Sequence, residues 1–185
     1  AAGFYLVYTD AYRLAERERL LALTDPGTGL PNLRAFEERL RRAFERNEPF
    51  ALLYVDLDGF KSVNDVLGHA AGDDVLRQVA AVLRACVRQL DIAVRIGGDE
   101  FCLLLSHADA TSTRVVAERV LAGLRALDLP RDLPLSGSIG IATHQDGRTP
   151  AEVIAAADAA MYRAKRAGGQ RIAVATMERP AASTD

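Results

Sequence analysis

Ala51-Leu52-Leu53-Tyr54-Val55 is an unbroken apolar run, too short for the core of a helix, and it leads straight into Asp56-Leu57-Asp58-Gly59. This pattern reads as a buried strand that ends in carboxylates. Before it, the turn-rich Thr24-Asp25-Pro26-Gly27-Thr28-Gly29 precedes Asn32, which can cap a helix with the apolar face Leu33, Phe36, Leu40 and Phe44. After it, Val75, Val79, Val82, Leu83 and Cys86 mark a long helix opened by Gly72 and Asp73. Two strands, Ile92 to Ile96 and Phe101 to Leu105, form a hairpin with Gly97-Gly98 at the bend, where positive φ costs least. Val116, Val120, Leu124 and Leu127 give the next helix, and Leu135 to Thr143 the next strand.

From residue 51 the order is therefore β-α-β-β-α-β, the split βαβ of an α+β domain of ferredoxin-like or palm-like type with a mostly antiparallel sheet. A further helix is signalled by Thr149 as N-cap, Pro150 at the first helical position and Glu152 closing a capping box. Arg171 to Thr176 reads as a last edge strand. Near the start, Phe4, Val7, Ala11, Leu14 and Leu21 fall at a and d spacing, with Glu18 interrupting. That segment is either a dimerising coiled-coil stalk or a solvated helix packed on its own domain. The expected division is an N-terminal helix over 1–23, one domain over 24–177 and a tail over 178–185.

The 185 residues, 49% hydrophobic and 26% charged, fit one globular domain with a short appendage. A formal net charge of −2 provides no basic field for a nucleic acid polymer or an acidic membrane. Cys86 and Cys102 have no CxxC spacing, which excludes a disulfide framework or a zinc cluster and favours a reducing compartment. No apolar run approaches the roughly 20 residues of a membrane span. The start shows neither Met nor a signal-peptide pattern. We therefore expect a piece of a longer protein with a missing upstream sensor, cytoplasmic either as such or as the cytoplasmic portion of a membrane-anchored chain.

In this topology the first strand neighbours the hairpin, so Asp56 and Asp58 approach Asp99 and Glu100 at one end of the sheet. Like charges so close repel unless a cation sits among them, and hard oxygen ligands suit Mg²⁺. Metal-assisted phosphoryl or nucleotidyl transfer is the chemistry that follows; solvated strand ends are the plainer alternative. An EF-hand is set aside because Phe60 stands at the fifth position and the glycine comes too early. The chain has no Walker A sequence and no GxGxxG, and Ser138 lacks the preceding glycine of a nucleophile elbow. The polar stretch from Phe60 to Asp73 lies beside the carboxylates. Lys61 could screen a phosphate, Asn64 could bond a base, and Asp73 could accept the two N–H donors on one edge of guanine.

Arg95-Ile96-Gly97-Gly98-Asp99-Glu100-Phe101 completes a pattern that resembles the GGDEF domain of diguanylate cyclases, over about residues 24 to 176. The same resemblance is carried by Thr28-Gly29-Leu30-Pro31-Asn32, Asp56-Leu57-Asp58-Gly59-Phe60-Lys61, Asn64-Asp65, Gly68-His69, Gly72-Asp73, Ser138-Ile139-Gly140 and Ala159-Ala160-Met161-Tyr162-Arg163-Ala164-Lys165. It implies condensation of two GTP into cyclic di-GMP with loss of two pyrophosphates, one GTP on each protomer of a homodimer. It also implies that Asp56, the Leu57 carbonyl, Asp99 and Glu100 serve Mg²⁺, with Mn²⁺ an alternative, and that Asp99 and Glu100 are catalytic. Gly97 and Gly98 would admit the nucleotide, Asn64 and Asp73 would read guanine, His69 would line the pocket, and Lys61 and Lys165 would meet phosphates. Arg88 and Asp91 match an RxxD product-inhibition site, joined by Arg119 from a neighbouring helix. The pattern departs from the family at Gly169 and Gln170, where an Arg-Asn pair is usual, and at Gly27 and Leu33. The rival readings are a cyclic di-GMP receptor without turnover, a cyclase of relaxed base choice and a structural dimerisation module.

Overall fold

A computed structural model describes residues 18, 21–144 and 148–175. The expected N-terminal helix lies largely outside the described residues, which include a helical 21–23, and the tail over 178–185 lies wholly outside them. Asn32 caps helix α1, Leu33–Glu45, by accepting from the Ala35 amide at 3.2 Å. The buried stripe of α1 is Phe36, Leu40 and Ala43, whereas Leu33 and Phe44 are exposed. The cap fixes where the helix starts, but the sheet selects which stripe is covered.

Strand β1, Phe50–Asp58, is followed by helix α2, Phe60–Leu67, and helix α3, His69–Cys86. Here the structure corrects the sequence reading: the long helix begins at His69, and Gly72 and Asp73 lie inside it. The break falls instead at Gly68, whose φ of 84° and ψ of 162° separate the two helices. Strands β2, Ile92–Gly97, and β3, Glu100–Ser106, form the hairpin. Its turn is Gly98-Asp99, with Gly97 still in β2. Helix α4, Ala110–Arg125, carries an Asp109/Ser112 capping box, and β4 spans Ser136–Thr143. Helix α5, Pro150–Arg166, has the Thr149/Glu152 capping box read from the sequence, and β5 is Ile172–Val174.

The sheet order is β2-β3-β1-β4-β5, antiparallel except for the parallel β4/β5 pair. The palm-like α+β expectation is borne out. Because successive strand residues face opposite sides, Leu53, Val55 and Leu57 join the core under α2, α3 and α4. Phe50 and Leu52 join a second core under α1 and α5. Cover on both faces is the reason β1 is apolar without alternation. At its end β1 carries its two aspartates, with Asp56 still buried.

Candidate active site at the carboxylate end of the sheet

Asp56 stands opposite Glu100 across β1/β3 and opposite Ser138 across β1/β4. The Leu57 amide donates to the Asp99 carbonyl at 3.2 Å, so the hairpin tip is fastened to the end of β1. Lys165, in the last turn of α5, donates to both oxygens of Asp56 at 2.7 and 2.9 Å. Asp56 is buried, and that burial, aided by the charges of Asp99 and Asp58, lifts its carboxyl above the ordinary range despite the lysine. The hydrogen bond to Asp56 holds Lys165 more firmly protonated than a free lysine. Burial, then Asp56 and Asp99, raise Glu100 as well. Tyr54, two residues back on β1, is pushed up to about 12 by burial, then by Glu100 and Asp158, so at neutral pH it is no base.

Asp58 stays close enough to act by its charge on Asp56 and Lys165, and it is also held by other elements. Asp58 accepts the Ser138 hydroxyl at 3.0 Å and the Gln170 amide at 2.7 Å. It therefore ties down the turn between α5 and β5. Gly169 sits in that turn at φ +69°, where a Cβ would lie 2.9 Å from Asp58 Oδ2. Among the described residues no three carboxylate, imidazole or thiol groups are gathered closely enough to cage an ion alone. Mg²⁺ does not need such a cage, since it takes one or two carboxylates together with substrate phosphates. Asp56, Asp99 and Glu100 fit that demand: their oxygens are hard, and the charge of Asp99 acts against both Asp56 and Glu100.

Beside this edge a cleft of about 360 Å³ opens between α2, α3 and the hairpin tip. Lys61 and Asn64 reach it from α2, His69, Asp73 and Leu76 from one face of α3, and Gly98 and Asp99 from the turn. Gly72 makes this packing possible, because a Cβ there would lie 1.9 Å from the Asn64 Oδ1. Of the predicted substrate contacts, Lys61, Asn64, His69, Asp73 and Gly98 are thus brought together with Asp99. Gly97 lines the neighbouring cleft against α1, and Lys165 lies with Asp56.

Arg88, Asp91 and Arg119 gather at the other end of α3, an 18-residue helix about 27 Å long. Asp91 accepts the Arg88 and Ser106 amides at 2.9 and 3.0 Å, and Arg119 donates to the Cys86 carbonyl at 3.0 Å. The Arg88 side chain is exposed. Cys86 and Cys102 are free thiols, and no helix among the described residues is long and apolar enough to cross a membrane.

Sequence reasoning missed Arg95, which lines the cleft and bonds the Gly98 carbonyl, and Asp25, its ion-pair partner at 3.2 Å. The available signal was a charged residue between Val94 and Ile96 in an otherwise apolar strand.

A palm-like sheet edge with three acids beside a polar cleft defines a class of domain suited to nucleotide chemistry. The family model "Diguanylate cyclase, GGDEF domain" matches residues 22–171, and the chain belongs to the GGDEF domain family. It is 40% identical over 167 residues to diguanylate cyclase DgcP of Pseudomonas aeruginosa, covering 86% of this chain and 25% of that protein. It is 38% identical over 178 residues to cyclic di-GMP phosphodiesterase PdeR of Escherichia coli, covering 92% of this chain and 26% of PdeR. The chain thus spans about a quarter of the length of these curated relatives. The crystal structure of the coiled coil and GGDEF domain of DgcB from Caulobacter crescentus, in complex with c-di-GMP, superposes with a TM-score of 0.82 at 29% identity. That match covers 94% of this chain and 98% of the DgcB chain.

Proposed function

We propose that this chain is a diguanylate cyclase domain that condenses two GTP into cyclic di-GMP and two pyrophosphates. The observation that carries the reading is the contact between the acidic edge and the cleft through a single residue, Asp99. Guanine enters the cleft, where Asn64 and Asp73 read its edge and His69 and Leu76 wall it in. Lys61 meets the phosphates, and Lys165 shifts from Asp56 to the phosphates as they arrive. Asp56, the Leu57 carbonyl, Asp99 and Glu100 would hold Mg²⁺, or Mn²⁺ in its place. A metal held there would supply activation of the attacking hydroxyl and neutralisation of charge on the leaving pyrophosphate.

The 3′-oxygen of one nucleotide bonds to the α-phosphorus of the other, the bond to pyrophosphate breaks, and Asp99 takes the hydroxyl proton. A second, symmetric step closes the ring. Each protomer holds one GTP, in keeping with a cleft of about 360 Å³ at the small end of ligand sites, which run from about 300 to 1,000 Å³. Two chains must therefore meet face to face. Arg88 and Asp91, with Arg119, bind the product at the far end of α3 and restrain turnover; exposed guanidinium groups suit bidentate phosphate contact and guanine stacking.

The test is a chromatographic assay with Mg²⁺ and GTP, on protein first stripped of bound cyclic di-GMP and run across protein concentrations. Product forming with a rate steeper than first order in protein supports the cyclase and its dimer. Absence of product with tight binding of added cyclic di-GMP replaces the reading with a receptor. Arg88→Ala should relieve inhibition by added product, and unchanged inhibition would remove the inhibitory assignment.

A further inference from the structure

Helix α5 has to end where Lys165, in its last turn, can reach Asp56. The backbone that follows is unusual. Gly168, Gly169 and Gln170 are left-handed in succession, at φ +105°, +69° and +55°. The two glycines adopt this at little cost, but Gln170 carries a Cβ that opposes it. Such a residue keeps its conformation only where its surroundings over-determine it.

For Gln170 those surroundings come from two other elements. Its amide donates to Asp58 Oδ2, at the end of β1, at 2.7 Å. Its carbonyl accepts from Nη2 of Arg125, the last residue of α4, at 2.5 Å. Both anchors are themselves held by β4. The Ser138 hydroxyl donates to the two oxygens of Asp58 at 3.0 Å, and Arg125 Nε donates to Ser136 Oγ at 3.4 Å. Ser136 is the partner of Asp58 in the β1/β4 register, so one strand pair supports both sides of the turn. Arg171 adds a bond from its Nε to the Gly169 carbonyl at 3.0 Å. A carboxylate and a guanidinium thus engage the two polar main-chain groups of one residue, and charge-assisted bonds are roughly twice as strong as neutral ones.

The same turn caps α5. The Gly168 amide donates to the Lys165 carbonyl at 3.2 Å, and the Gly169 amide donates to the Ala164 carbonyl at 3.1 Å. A shift of Gln170 is therefore passed within two residues to the main chain of Lys165. We propose that Arg125 is a positioning residue for Lys165: together with Asp58 it clamps Gln170 in the left-handed conformation and so fixes where α5 ends. Arg125 is exposed and is not among the residues lining the cleft assigned to GTP, so its effect on substrate runs through the turn. The consequence for GTP rests on the cyclase reading above, in which Lys165 meets the phosphates.

The experiment compares the wild type with Arg125→Ala and with the double variant Arg125→Ala/Gln170→Gly, by amide hydrogen exchange and steady-state kinetics. The amide of residue 170 reports the clamp, and the Leu53 amide, in mid-strand, reports global stability. Arg125→Ala should lower protection at residue 170 by about tenfold, the scale of one lost charge-assisted hydrogen bond, while leaving Leu53 unchanged. It should raise the GTP KM by roughly 3- to 10-fold with kcat within about twofold, since a phosphate contact made throughout the reaction acts on binding alone. Gln170→Gly removes the side chain that opposes the left-handed backbone, so the double variant should recover part of both losses. Unchanged protection at residue 170, or an equal loss at Leu53, overturns the clamp. So does a lowered kcat with KM unchanged, the mark of less folded protein, and so does a double variant that recovers nothing. A wild type that makes no product defeats the cyclase reading, and the protection measurement still decides the clamp.

Discussion

Asp56 and Asp58 lie two residues apart on one strand face, yet neighbours from other elements give them different work. Lys165 and the acids of the hairpin surround Asp56, whereas Ser138 and Gln170 engage Asp58. For Asp99, Asp99→Asn should lower turnover by roughly 100- to 1,000-fold, the rate equivalent of several kcal/mol of charge stabilisation. The fold should survive, because the bond to Leu57 uses the Asp99 main-chain carbonyl. A near-normal rate in the variant would remove Asp99 from the mechanism. Glu100 permits a stability test without substrate. Burial and its acidic neighbours raise its folded-state pKa, so in the window from the ordinary carboxylate value up to the raised one the native state holds more proton than the unfolded chain. Stability from this group is therefore lost as pH rises through that window. In metal-free protein at pH 7, Glu100→Gln should raise Tm by roughly 1–3 °C and flatten that fall. Calorimetry across pH checks this, and a lower Tm at pH 7 would contradict it.

At the scale of elements, the sequence announced the starts of α1 and α5 through their caps, whereas it missed α2 and displaced the start of α3. Thr149, Pro150 and Glu152 announce α5, and Asn32 announces α1, because each supplies its own hydrogen bonds to the helix start. Helix α2 buries only Phe60 and Val63, and α3 has glycines at its cap and in its first turns, so polar and glycine residues resembled punctuation. Gly72 is there for Asn64, a contact between two elements that no local pattern contains. The same holds at Gly140, where α5 lies directly on β4. A Cβ there would lie 2.0 Å from the Ala157 carbonyl oxygen and 2.2 Å from the Met161 nitrogen, both backbone atoms. Gly140→Ala should therefore force α5 outward, at a cost of about 1–3 kcal/mol in urea unfolding. It should also weaken activity, since α5 carries Lys165. An unchanged urea midpoint would show that the helix shifts freely.

For the molecule as a whole, the proposed chemistry needs two clefts facing each other, so assembly controls the rate. Fusing a parallel two-stranded coiled coil ahead of the described domain should replace chance encounter with a high local concentration. Specific activity should then become independent of protein concentration where the unfused chain is still second order. Initial rates over a dilution series check this, and an unaltered dependence would argue against a dimeric catalyst. The sequence by itself determined the order of elements apart from α2, the acids at the ends of β1 and the hairpin, and the family, because those rest on local periodicity and contiguous motifs. Only the tertiary structure decided that Asp58 is bonded to Ser138 and Gln170, that Lys165 joins Asp56, and that Arg95 holds Gly98 while bound to Asp25. Those pairs are far apart along the chain, Asp25 and Arg95 by 70 residues and Asp56 and Lys165 by 109. Sheet register and helix packing bring them within hydrogen-bond distance, and neither is written in any local stretch of residues.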